Sequence, residues 1–300
     1  MAWRLHLTNQ AIRRLEILPG KPRALIAAWT EPLRAFFLDL ETGAPMGEKT
    51  FAPPDTATFN DERWQQFLTT LTAPGGSHLA RIDTPGAQVF LSEDGATRLY
   101  YQPPQLTLDI QGKPYTLSTD EPLVAVGYDR VLSLTAALAA DGCVHIFQQQ
   151  TSTGRYPTSL DLSTDLRSSI TVPNGGSTIF ASDGRTIVGL DSGGTLRHTL
   201  TAHYPIQRIR CSPNGRHLVT SDIETNVIRV YDGSTLQPTY QRHAVDLLAA
   251  AQPVQLIADL PPSMVALNAL VVGGKGRLVF AMHGVICAAE IGELNALPRR

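Results

Sequence analysis

Cysteine is scarce in this chain. Cys143, Cys211 and Cys287 stand far apart and form no CxxC pair. That excludes a zinc ribbon or a thioredoxin-like motif, and it argues against a disulfide framework. Charge of one sign is missing too. The 25 Lys and Arg nearly balance 27 Asp and Glu, for a net charge of −2 over 300 residues. Such a balance carries neither the basic footprint of a nucleic-acid binder nor an acidic tail. No apolar run approaches the ~18 residues that mark a membrane span. The opening "MAWRLHLTNQAIRR" lacks the apolar core of a signal peptide. A cytoplasmic protein with no membrane or nucleic-acid partner is the expectation. Catalytic signatures are missing as well: GxGxxG, HExxH, GxSxG and the EF-hand loop do not occur. "GGKGR" (Gly273 to Arg277) lacks P-loop spacing and falls where a hairpin turn is expected.

What is present is a rhythm. Runs rich in Val, Ile, Leu, Phe and Tyr are separated by Asp-Gly, Asn-Gly and Pro-Gly, the pattern of antiparallel strands joined by tight turns. Strands resembling "IRVYD" (Ile228 to Asp232) recur at Ala35–Gly43, Thr97–Gln102, Cys143–Gln148, Thr186–Asp191 and Val285–Ile291. A further apolar strand and a turn precede most of them. The mid-chain spacing is roughly 40 to 46 residues, the period of a four-stranded propeller blade. Asp94, Asp141, Asp183, Asp191 and Asp232 sit in the turns, where Asp bonds its own backbone.

One stretch is specific. In "LTAHYPIQRIRCSPNGRHLVTSDIETNVIRVYDGST", Ala202-His203 occupies the place of Gly-His in a WD40 repeat. "CSPNGR" takes the place of Phe-Ser-Pro-Asp-Gly-Arg, and Tyr231-Asp232 that of Trp-Asp. The chain therefore resembles a divergent WD40 β-propeller, closely over this stretch and by rhythm elsewhere. The resemblance implies an all-β fold: a single propeller of four-stranded blades covering residues 1–300. Six third strands count six blades, and two over-long gaps leave seven open. The last repeat supplies three strands, so Trp3–Thr8 is expected to complete it as the outer strand. The resemblance also implies a structural network of His203, Ser221, Asp222 and Tyr231 that fastens its blade.

Two stretches break the rhythm, and both read as short helical insertions. In "FNDERWQQFLTTL" (Phe59 to Leu71), Asn60 is an N-cap and Asp61 and Glu62 suit the helix dipole. Trp64, Phe67, Leu68 and Leu71 form one apolar stripe. "RHAVDLLAAAQ" (Arg242 to Gln252) reads as a second helix, followed by Val254–Leu260 as the outer strand of the fifth blade. Trp64, Phe67, Leu68, Leu71, Arg242 and His243 are thus candidate contacts for a partner protein.

No metal, cofactor or catalytic residue is expected. Cys143 and His145 share a strand face, and His6, His283 and Cys287 could approach in the last repeat. Buried structural side chains are the reading for both groups. The functional expectation is a non-catalytic protein-interaction or scaffold module. The alternatives are a lactonase- or hydrolase-like propeller enzyme with a carboxylate or metal site at its central channel, or a small-ligand sensor.

Overall fold

The computed structural model describes residues 2–7, 12, 14–17, 24–30, 33–51, 88–91, 97–102, 105–110, 113–129, 131–149, 151–164, 166–173, 175, 178–222, 224–253, 267–273, 276–282 and 284–296. The chain opens with β1 (Trp3–His6). A first sheet follows: β2 (Arg14–Ile17), β3 (Ala24–Thr30), β4 (Leu33–Asp39) and β5 (Pro45–Phe51). The second holds β6 (Gln88–Leu91), β7 (Thr97–Gln102), β8 (Gln105–Ile110) and β9 (Lys113–Ser118). The third holds β10 (Leu123–Asp129), β11 (Leu134–Ala139), β12 (Cys143–Gln148) and β13 (Thr151–Pro157). The fourth holds β14 (Ser169–Thr171), β15 (Thr178–Ser182), β16 (Thr186–Asp191) and β17 (Leu196–Thr201). The fifth holds β18 (Ile206–Cys211), β19 (His217–Asp222), β20 (Val227–Asp232) and β21 (Pro238–His243). Helix α1 (Ala244–Ala250) and the two-residue β22 (Gln252–Pro253) lead to β23 (Leu267–Gly273), β24 (Arg277–Met282) and β25 (Val285–Glu290).

Each of the first five sheets is a four-stranded antiparallel meander. The sixth has five strands, in the order β22-β1-β25-β24-β23. Here β1 pairs antiparallel with β25, Trp3 opposite Ala288 and His6 opposite Val285, and β22 pairs parallel with β1. The chain's first strand therefore lies in the same sheet as its last.

Burial explains the strand sequences. The central strands β11, β24 and most of β12 and β25 are buried along their length. Such strands read as continuous apolar runs because both sheet faces are covered. The fourth strands β13, β17 and β21 are mostly exposed and alternate in burial, one face inward and one wet.

The cover is a neighbouring sheet. Phe180 and Ile187 of the fourth sheet share a cluster with Ile209, Cys211 and Leu218 of the fifth. Similar clusters join the second sheet to the third, the third to the fourth, the fifth to the sixth and the sixth to the first. First strands stand beside first strands: β6 by β10, β10 by β14, β14 by β18, β18 by β23, and β23 by β2. Trp3 ties the sixth sheet to the first. Its indole Nε1 donates to the Leu40 carbonyl at 3.3 Å, and its ring lies over Gly43. A Cβ at Gly43, where φ is +72°, would come within 2.7 Å of that ring.

The structure corrects two strand assignments and one helix start. Thr97–Gln102 is the second strand of its sheet, not the third, because Gln105–Ile110 and Lys113–Ser118 follow it in the ladder. The fourth strand of the fifth sheet is Pro238–His243, not Val254–Leu260, which lies outside the described residues. The helix expected from Arg242 starts at Ala244, since Arg242 and His243 pair with Ile228 and Val227. The helix expected around Trp64 lies outside the described residues.

Candidate interaction face

A meander sends its turns to two ends. The first-to-second and third-to-fourth strand turns occupy one end. The second-to-third turns share the other with the connections between sheets. Contacts confirm the second grouping. The Asp161 amide donates to Asp183 Oδ2 at 3.0 Å, joining a connection to the β15–β16 turn. The Leu267 amide donates to Asn226 Oδ1 at 2.9 Å, joining the start of β23 to the β19–β20 turn. A Cβ on Gly142, in the β11–β12 turn, would lie 2.7 Å from the Leu160 carbonyl of the next connection. We refer to this as the connection end.

Residues 52–87 link β5 to β6, and residues 244–266 link β21 to β23. Both are sheet-to-sheet connections, so β5 and β21 end, and β6 and β23 begin, at the connection end. Trp64, Phe67, Leu68 and Leu71 lie outside the described residues. Arg242 is half-buried at the end of β21. His243 is exposed, its Nδ1 3.1 Å from the Thr225 carbonyl. Helix α1 buries Ala244, Leu247 and Leu248 in the core shared by the fifth and sixth sheets. Its Val245 faces solvent at 46% exposure. Tyr204, on the connection into the fifth sheet, is exposed as well.

The β19–β20 turn at this end is built around Asp222, which is 1% exposed. One carboxylate oxygen accepts from the Thr225 amide at 2.6 Å and its hydroxyl at 2.7 Å. The other accepts from Arg229 Nη1 at 2.7 Å. Burial works to raise the Asp222 pKa, but Arg229 and Thr225 outweigh it and hold the carboxyl below its usual value. Ser221 is buried. Tyr231 is buried too; burial pushes its phenol upward against the bond to the Thr220 hydroxyl. His203 is exposed on the connection. The residues gathered on Asp222 are thus Thr225 and Arg229. Ser221 and Tyr231 lie in the same sheet, on β19 and β20, and His203 stands at its entry. The signal for Arg229 was its place two residues before Tyr231, on an otherwise apolar strand.

Turn chemistry occupies four of the turn aspartates; Asp94 lies outside the described residues. Asp141 accepts from the Cys143 amide, Asp183 from Arg185 and Thr186, Asp191 from Gly193 and Thr195, and Asp232 from Ser234 and Thr235. Asp141 also pairs with Arg155, and Asp191 with Arg197. Among the described residues no group of three or more His, Cys, Asp or Glu is placed to hold a metal ion. All three cysteines are buried and outside any disulfide, and burial pushes the Cys287 thiol up to about 12. His145 is buried, and desolvation lowers its pKa. No helix among the described residues is long and apolar enough to cross a membrane.

No family model matches the chain. No curated protein matches it in sequence. A crystal structure of Raptor from Chaetomium thermophilum is similar, with a TM-score of 0.61 and 10% identity over 95% of this chain and 28% of that one. The chain thus spans less than a third of the length of the Raptor chain. At that identity the likeness speaks for the fold alone, which is β-propeller-like.

Proposed function

We propose that the chain is a six-bladed, WD40-like β-propeller of the cytoplasm, acting as a non-catalytic protein-interaction module. In this reading the six sheets are its blades. The second closes onto the first, and pairing of β1 with β25 fastens the ring.

The observation that carries the functional part is positional. Both departures from the repeat, residues 52–87 and 244–266, leave and re-enter the fold at the connection end. Repeat folds bear their binding insertions on one face. Val245 and Tyr204 supply exposed apolar surface at that end. Commitment of Asp141, Asp183, Asp191 and Asp232 to their own turns supports the non-catalytic side of the reading. The buried, widely separated cysteines, none of them in a disulfide, support a reducing compartment.

The test is purification from the native source under gentle conditions. A protein partner should come with the chain in fixed stoichiometry. Trp64→Ala with Phe67→Ala, and separately Val245→Glu, should release it while the melting temperature holds. Recovery of the chain alone, or retention of the partner by all variants, would sink the proposal.

A further inference from the structure

The sequence holds two Asn-Gly pairs, Asn174-Gly175 and Asn214-Gly215. Asparagine before glycine is chemically labile, because a backbone nitrogen with no Cβ beside it can reach the Asn side chain. Asn174 lies outside the described residues. Asn214 is exposed at the tip of the β18–β19 turn. Gly215 follows it with φ at +68°, a left-handed conformation that glycine takes without strain.

Exposure alone would leave Asn214 open to attack, but the turn ties down both reacting groups. The Gly215 amide donates to the Ser212 carbonyl at 2.8 Å. Asn214 Oδ1 accepts from the Ser212 hydroxyl at 2.8 Å and from the Arg216 amide at 3.2 Å. Ser212 is itself buried, and its side-chain oxygen accepts from the His217 amide at 3.0 Å. The nitrogen that would attack is thus bonded away from the side chain, and the side chain is bonded in place. The β20–β21 turn of the same sheet presses against this one. Its Gly233 amide donates to the Arg216 carbonyl at 2.8 Å, and a Cβ on Gly233 would lie 1.9 Å from the Gly215 carbonyl oxygen.

We infer that Asn214 is a site of spontaneous modification, held shut by its own turn with Ser212 as the lock. When the turn opens, the Gly215 nitrogen attacks Asn214 Cγ. The new N–Cγ bond forms as Cγ–Nδ2 breaks, and ammonia leaves with the amide proton. Water then opens the succinimide at either carbonyl, with no oxidant or reductant involved. One product, aspartate, keeps an oxygen for the Ser212 hydroxyl and the Arg216 amide. The other, isoaspartate, routes the backbone through the side chain and lengthens it by one carbon. That displaces the Gly215 carbonyl from its seat against Gly233 and parts the two turns. The modification therefore acts on the end of the fifth sheet opposite the connections.

The experiment incubates the full chain in mildly alkaline buffer, folded and unfolded in urea, and follows conversion at each Asn-Gly pair by peptide mass spectrometry. Three hydrogen bonds must open first, so Asn214 should convert at least about tenfold more slowly in the folded chain than in urea. Ser212→Ala removes one bond to Oδ1 and should speed Asn214 in the folded chain by about fivefold, while Asn174 keeps its parent rate. Equal rates at Asn214 in the folded and unfolded chains overturn the inference, as does an Asn214 that stays unmodified in urea. Acceleration of both pairs by Ser212→Ala would make Ser212 a general support of the fold and remove it as the lock. Asn214→Asp should melt with the parent, and the chain carrying isoaspartate, separated by chromatography, should melt lower. Identical melting of the two forms removes the parting of the turns.

Discussion

The fifth and sixth sheets share one plan and are cemented differently. The fifth is fastened through a buried carboxylate, with Asp222 receiving Thr225 and Arg229. The sixth has β24 and β25 almost wholly buried and apolar. Its ion pair, Arg277 to Glu290 at 3.1 Å among the described residues, sits at the strand ends. The apolar sheet takes β1, which lies between β25 and β22, from the opposite end of the chain, and Trp3 and Leu5 bring apolar surface with it. Directional bonds hold a turn to one geometry. Apolar burial is non-directional, and here it seats a strand from far away in sequence. The contrast has measurable consequences.

The largest effect should come from removing residues 2–7. The deletion takes Trp3 and Leu5 from the core and bares the edge of β25. Truncating a buried Trp alone costs about 3–5 kcal/mol, and a buried Leu about 2–5. For a chain of this size the melting temperature should fall by more than ~10 °C in a circular-dichroism melt. An unchanged midpoint would mean the sixth sheet stands without β1.

Breaking the polar cement should cost somewhat less. Asp222→Ala leaves Arg229, whose side chain is 18% exposed, without its anion. Losing one partner of a buried pair costs about 3–5 kcal/mol. The double variant with Arg229→Ala should recover part of that loss. A double variant as unstable as the sum of the singles would show the pair to be uncoupled. The same pair gives the fifth sheet a pH signature. The folded Asp222 pKa lies below the ordinary 3.8, so its contribution is intact above that value and is lost as pH falls through the folded pKa. Asp222→Asn should flatten this part of an acid-unfolding profile. Identical profiles for the two proteins would count against the pair.

The two cements also decide what could be read without coordinates. Turn aspartates are legible because their chemistry is local: Asp232 bonds Ser234 and Thr235, two and three residues on. Strand rhythm was legible for the same reason. Ladder position was not. Thr97–Gln102 has the composition of a third strand, and only the strands after it make it a second. The start of α1 was hidden because "RH" suits a helix, while pairing to Ile228 and Val227 holds those residues in β21.

The smallest effect should come from His203, and it separates the resemblance from the structure most cleanly. In a WD40 fastening, a His at this place bonds inward, through a Ser and an Asp, to the aromatic of the third strand. Its loss would leave buried polar groups unpaired, at about 1–3 kcal/mol. Here His203 is exposed, and Asp222 is already engaged by the Thr225 amide and hydroxyl and by Arg229. A surface substitution outside such a network changes stability by about 0.5 kcal/mol or less. His203→Ala should therefore melt with the parent protein, while Thr225→Ala, which removes the hydroxyl on Asp222, should not. The reverse order would mean that the imidazole turns inward in solution and that the fifth sheet is fastened in the WD40 manner.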